Sequence, residues 1–166
     1  NEAHLQGCEI VIHSAARVES WGNRQDFWNA NVLGTERILK AAQQAGVKRF
    51  IHISSEATIF AGQDMVNIDE SYPYPTSTPF LYSETKQAAE KLVLAATQAD
   101  FDTIVLRPRM IWGPGDKTIV PEIKAMVDAG KFAWIGGGHY QTETTHIDNL
   151  VHGITLALEQ GVSGER

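Results

Sequence analysis

The chain has 166 residues, 43% of them hydrophobic, which suits one domain with a sizeable core. Its formal charge of −6 leaves no basic footprint for nucleic acid or an anionic membrane surface, and its one cysteine, Cys8, excludes an internal disulfide framework and a Cys-based zinc site. No apolar run approaches the ~20 residues of a membrane span, and a reducing, cytoplasmic location is expected.

Residues 1–7 are polar and read as the tail of a preceding connection. Cys8 to His13 is a short β-rich run that ends in Ser14-Ala15-Ala16-Arg17, small residues over which another backbone or a cofactor can approach closely. A helix is predicted from Phe27 to Ala45, with Val32, Ile38, Leu39 and Ala42 on its apolar face and Gly46 as its C′ residue. Asn31 and Gly34 lie inside it, and each costs helix stability, so a local reason for both is expected. Val47 to Ile53 reads as a buried strand with Ser54-Ser55 at its C-terminal end. Glu56 to Gly62 follows, then a loop through Pro79 rich in Asp, Pro, Ser and Thr, whose length marks it as functional or mobile. A helix is predicted from Leu81 to Ala99. The apolar strand Thr103 to Arg107 comes next, ended by Pro108, and then Arg109-Met110-Ile111-Trp112-Gly113-Pro114-Gly115-Asp116. The remainder alternates short elements: a helix near Val120 to Ala129, the run Lys131 to Ile135, a turn at Gly136-Gly137-Gly138, and a final helix opened by Thr145-His146-Ile147-Asp148, with Asp148 or its neighbour as cap.

The chemistry concentrates in Tyr82-Ser83-Glu84-Thr85-Lys86. Four residues apart on a helix, Tyr82 and Lys86 share one face. A tyrosine ionises near ~10 and is a poor base at neutral pH, but an ammonium beside it favours the phenolate. Tyr-x-x-x-Lys is thus a proton-transfer device for a hydroxyl or carbonyl substrate, and Ser55 at the preceding strand end can hydrogen-bond the same oxygen. Most Tyr/Lys pairs at this spacing are solvated helix surface; the strand and Ser-Ser before this one give it weight. The six histidines are scattered without His-Glu-x-x-His, so no metal site is expected, and Gly-x-Ser-x-Gly is absent.

Strand, Ser54-Ser55, loop and Tyr82-x-x-x-Lys86 resemble the extended short-chain dehydrogenase/reductase family, the NAD-dependent epimerase/dehydratase relatives. His13-Ser14-Ala15-Ala16, Asn31-Val32-Leu33-Gly34-Thr35, Leu106-Arg107-Pro108 with Trp112-Gly113-Pro114-Gly115, and Thr145-His146-Ile147-Asp148-Asn149 are similar to further segments of it. The resemblance implies an α/β fold, a partial Rossmann-like doubly wound parallel sheet with part of a small C-terminal substrate domain. The Rossmann core would occupy about residues 1–110 from its fourth strand onward, and substrate-side segments about 111–166. It implies NAD or NADP as cofactor, NAD slightly preferred, with contacts from Ser14, Ala15, Ala16, Arg17, Asn31, Ser54, Tyr82, Lys86 and Pro108. Asn31 would brace the cofactor-side loops, and Gly34 would let its helix pack tightly. Ser55, Tyr82 and Lys86 would be catalytic: Tyr82 exchanges the proton on the substrate oxygen as hydride passes to or from nicotinamide, Ser55 holds that oxygen, and Lys86 holds the nicotinamide ribose and depresses the Tyr82 pKa. Glu56, Thr58, Arg109 and Trp112 are candidate substrate contacts.

The family's first strand, its Gly-x-x-Gly-x-x-Gly turn and the following helix are not among these residues, and the chain stops at Gly164-Glu165-Arg166, where the family continues. A fragment is therefore expected, with an open hydrophobic edge on its first strand, weak dinucleotide binding and no turnover by itself; at full length a homodimer is expected. Dehydratases of the family carry Asp-Glu after the hydroxyl residue, whereas Glu56-Ala57 stand here. Nucleotide-sugar enzymes often carry Arg-Asp before the His segment, whereas Thr142-Glu143 stand here, and a glutamate repels a diphosphate. The Leu-Arg-Pro-Arg, Phe132-Ala133-Trp134-Ile135-Gly136 and Thr144-Thr145-His146 segments look most like 3β-hydroxysteroid dehydrogenase-type members. An oxidoreductase for the hydroxyl or keto group of a small hydrophobic substrate is the favoured reading. Trp112, Trp134 and Phe132 would suit such a substrate or belong to the core. A nucleotide-sugar 4-epimerase and a non-catalytic NAD(P)-sensing scaffold are the alternatives.

Overall fold

The computed structural model describes residues 4–19 and 21–160; Gly164-Glu165-Arg166 lie outside them. Three parallel strands, β1 (Ile10–His13), β2 (Arg49–Ile53) and β3 (Asp102–Leu106), form one sheet in the order β1-β2-β3. Val11 stands opposite Phe50, and Phe50 opposite Thr103. Parallel neighbours require crossovers, and helices supply them. β2 and β3 are buried on both faces, which explains why they read as near-continuous apolar runs. Phe50, Val11 and Val105 meet Leu39, Ala42, Val47, Val93 and Phe101 on one side of the sheet; Ile51, Ile53 and Ile104 meet Ala157 on the other. This is the doubly wound α/β arrangement. β1 is an edge strand, and its Ile10 and Ile12 are exposed. Leu5, in the stretch expected to be only a polar tail, packs against the core.

The helix predicted from Phe27 begins earlier and is not uniform. Asn23 caps it by accepting from the Gln25 N–H at 2.7 Å, α1 runs Arg24–Phe27, a π-helical stretch covers Trp28–Leu33, and α2 continues over Gly34–Gln44. The polar run Asn-Arg-Gln-Asp hides this start, although Asn is a strong N-cap. At the other end Val47 N–H bonds Ala42 O and Gly46 N–H bonds Gln43 O, both at about 3 Å, with Gly46 at φ 76°. That is a Schellman stop, for which glycine is suited. Gly34 meets no tight neighbour: a Cβ there would touch only Asn29 O, at 3.6 Å. The close packing expected of it is not found among the described residues; it follows the wide π turn instead.

Helix α3 (Leu81–Ala95) ends four residues short of the predicted Ala99, because Thr97–Asp102 turn back into β3 through the Gln98–Phe101 bridge. Beyond β3, a two-stranded parallel pair, β4 (Ile111–Trp112) and β5 (Thr145–His146), encloses α4 (Ile119–Asp128) in sequence, and α5 (Ile147–Glu159) covers the sheet's second face. Gly136 and Gly137, at φ 55° and 73°, form the expected turn; a Cβ on Gly136 would come within 2.4 Å of the Tyr140 ring. The cap of α5 is His146, whose Nδ1 accepts from Asp148 N–H at 3.3 Å; Asp148 lies in the first turn instead. No helix among the described residues is long and apolar enough to cross a membrane.

Candidate active site

Because β1, β2 and β3 are parallel, their C-terminal ends open on one edge of the sheet, where open α/β sheets bind ligands. That edge receives Ser14–Arg17 from β1, Ser54–Ser55 from β2 and Arg107–Arg109 from β3. The ladder extends past the strands: Ser54 N–H donates to Leu106 O at 2.7 Å and Glu56 N–H to Pro108 O at 3.4 Å. Ser55, extended and buried, caps a 3₁₀ turn over Glu56–Ile59; its Oγ accepts from Ala57 N–H and donates to Glu56 Oε2 at 2.8 Å. The Tyr82 side chain, in the first turn of α3, is set beside the Ser55 hydroxyl, which acts on its ionisation. Lys86, only 2% exposed, donates from Nζ to Ile53 O at 2.8 Å. Strand end and helix are thus joined at Ser55, Tyr82 and Lys86.

The electrostatics correct one expectation. Burial raises the Tyr82 pKa above its ordinary value, the Ser55 hydroxyl opposes this, and the Glu56 carboxylate adds to it. Lys86, whose ammonium is hydrogen-bonded to the Ile53 carbonyl, does not offset that rise. Desolvation brings Lys86 itself down to about 8, against the opposing pull of Glu90. His13 is lowered to about 4 by burial and by Lys86, and His52, 1% exposed with neither ring nitrogen hydrogen-bonded, is held well below its ordinary value by the same causes and by His13. The two rings lie 5.3 Å apart.

A stability prediction follows from the histidines. Their folded-state pKa values are depressed, so the unfolded chain takes up protons first; stability is fully present above pH ~6.5 and falls as pH drops towards about 4. Between pH 7.5 and 5, His13 alone is expected to remove roughly 2 kcal/mol of unfolding free energy. Urea unfolding of the full-length protein at both pH values, beside His13→Asn, checks this; equal pH slopes for the two proteins would overturn it.

The geometry agrees with a family match. Residues 2–163 fit the model of the 3-beta hydroxysteroid dehydrogenase/isomerase family. The chain belongs to that family. It is 41% identical over 162 residues to the 4-hydroxy-2-methyl-3-oxo-4-farnesyl-3,4-dihydroquinoline-1-oxide ketoreductase of Stigmatella aurantiaca, covering 97% of this chain and 48% of that protein. It is 37% identical over 169 residues to the 3-beta-hydroxysteroid dehydrogenase of Mycolicibacterium neoaurum, covering 96% and 46%. The crystal structure of a dTDP-glucose 4,6-dehydratase double mutant from Streptomyces venezuelae, with NAD bound, superposes with a TM-score of 0.83 at 27% identity, covering 99% of this chain and 52% of that one. The chain spans about half the length of the curated relatives it matches.

In this 3-beta hydroxysteroid dehydrogenase/isomerase family member, Asn31 sits in the π-helical stretch and ties three segments. Its Oδ1 accepts from Arg17 N–H at 2.7 Å, and its Nδ2 donates to Arg17 O at 3.1 Å and to Thr85 Oγ1 at 3.0 Å. The turn after β1 is thereby pinned to α3, while Ser14 and Ala15 remain open to solvent. Arg109 brings its Nε within 3.7 Å of Glu56 Oε1, so those two candidate contacts stand together beside Ser55. Thr58 does not join them. It is 1% exposed, and so presents no surface to a substrate. Trp112 stands on β4, its ring against His146 and its Nε1 donating to Thr144 Oγ1 at 3.0 Å. With Phe132 and Trp134 it is exposed rather than core. No cluster of three or more His, Cys, Asp or Glu among the described residues is placed to hold a metal ion. Tyr74 and Arg107, both half-buried, join the buried Glu90 in a polar group beside the site; no local sequence signal marks it, although Glu90 lies four residues past Lys86 and so on the same helix face.

Proposed function

We propose that the full-length protein is an NAD(P)-dependent oxidoreductase that interconverts a hydroxyl and a keto group on a small hydrophobic substrate. The observation that carries this reading is the convergence of Ser55, Tyr82 and Lys86 at the open edge of the parallel sheet, where Lys86 Nζ donates to Ile53 O at 2.8 Å beside the buried Ser55. Ser55 and Tyr82 then bind the same carbonyl oxygen. Tyr82 gives it a proton during reduction and takes one during oxidation, and Ser55 stabilises the charge that develops there. The small turn at Ser14–Ala16, open to solvent at Ser14 and Ala15, and the nearby Lys86 fit the nicotinamide half of a dinucleotide, with Arg17, Asn31, Ser54 and Pro108 around it. A bound nicotinamide supplies the hydride. NAD is put before NADP because the dehydratase relative carries it. About residues 1–110 form the cofactor-binding core and about 111–166 the substrate-side segments; Glu56 and Arg109 from the core and Trp112 from the second part are the substrate contacts. The charge of −6 supports a small-molecule partner over nucleic acid. A homodimer in the cytoplasm completes the reading.

The test is nicotinamide-dependent reduction of hydrophobic ketones by the full-length protein. Ser55→Ala is expected to lower kcat by roughly 100-fold, the cost of one donor to a developing oxyanion. A loss confined to cofactor affinity would mean that Ser55 is misassigned. Formation of a 4-keto-6-deoxy sugar would overturn the reading outright, because Ala57 offers no base for water elimination.

A further inference from the structure

Glu90 is fully buried, yet it is ringed by donors. Arg107 gives its carboxylate two hydrogen bonds, from Nε at 2.9 Å and Nη2 at 2.6 Å, Tyr74 OH gives one at 2.6 Å and Ser54 Oγ one at 2.5 Å. These donors come from three places: the end of β2, the residue after β3, and the long loop before α3. For stability alone, a buried ion pair is often no better than apolar side chains of the same volume. What this one does is join pieces. Ser54 precedes Ser55, so the bond to Glu90 fixes the strand end from which Ser55 reaches the substrate oxygen. On α3, Tyr82, Lys86 and Glu90 recur every four residues on one face, so the carboxylate lies one turn beyond the lysine.

We infer that Glu90 is a positioning residue for the reaction: its buried carboxylate locks Ser54–Ser55 against α3 and serves as the counter-charge of Lys86. The inference rests on the Tyr82–Lys86 reading above. Lys86 is faced by His13 from β1 and His52 from β2, both neutral at assay pH, and by Tyr82 and Glu90 from its own helix, while Arg107 at the end of β3 is paired with Glu90. Of these, Glu90 is the group that favours the protonated lysine, against the desolvation that disfavours it.

The experiment is ketone reduction by the full-length protein with cofactor, measured from pH 6 to pH 10. Glu90→Gln is expected to lower kcat about tenfold with little change in KM, and to move the alkaline limb of the kcat profile about one pH unit lower, because the lysine loses its proton sooner. Glu90→Asp keeps the charge and is expected to keep the parental alkaline limb. If Glu90→Gln does not fold, because Arg107 is left buried and unpaired, Glu90→Gln with Arg107→Met removes that charge and is expected to show the same shifted limb. A folded Glu90→Gln protein, or double variant, with parental kcat and an unmoved limb would overturn the inference, even if its melting temperature fell. So would an equal shift in Glu90→Asp. Tyr82→Phe separates the two readings: full turnover there removes the proton-transfer reading itself, whereas an inactive Tyr82→Phe beside an unaltered Glu90→Gln removes only the role of Glu90.

Discussion

Tyr82→Phe in the full-length protein is expected to lose roughly 10³-fold in turnover while binding cofactor almost as the parent does. Phenylalanine fills the same space on α3 and removes one oxygen, the phenol beside Ser55. The neighbouring charges sharpen the expectation. Burial and Glu56 hold the phenol above its ordinary pKa, so in the state described Tyr82 is a protonated donor. That suits ketone reduction, in which it must give a proton to the forming alkoxide. It makes alcohol oxidation, which needs the phenolate, depend on whatever cationic field the bound cofactor and Lys86 supply together. Steady-state kinetics with a cofactor titration by fluorescence would check this. Turnover within tenfold of the parent would remove Tyr82 as the acid/base.

The 166 residues by themselves are expected to bind NAD(H) or NADP(H) about 10³-fold more weakly than the full-length protein, in the millimolar range or beyond. The groups proposed here reach only the nicotinamide and its ribose. A pyrophosphate is ordinarily held by a glycine turn and a helix N-terminus after the first strand of such a sheet, and no such turn occurs in these residues. β1 stands at the sheet edge instead, with Ile10 and Ile12 exposed on it. Isothermal titration on the 166-residue chain, with circular dichroism to establish that it is folded, would decide the point. Micromolar binding would mean that the dinucleotide is held by groups other than those named above.

Much of this was legible from local pattern. The apolar runs of β2 and β3 mark strands buried on both faces, Gly46 marks the end of α2, and the four-residue interval puts Tyr82 and Lys86 on one side of α3. Each of these depends on backbone geometry and on side chains close in sequence, and such rules act within a few residues. Local pattern put Ser55, Tyr82 and Lys86 together as the place to look for chemistry, and the resemblance carried by those segments implied the family and the doubly wound α/β class. Tertiary structure decided how those groups are charged and held. Spacing aligned Lys86 with Tyr82, but the ammonium turns to the Ile53 carbonyl, and burial sends the phenol pKa up rather than down. Thr58 reads as a wall of the site and is buried within a turn, while Glu90 reads as an ordinary helix glutamate and is fully enclosed by Ser54, Tyr74 and Arg107. Desolvation and long-range hydrogen bonds are set by residues 16 to 36 positions away from Glu90 in the chain, and no local pattern carries them.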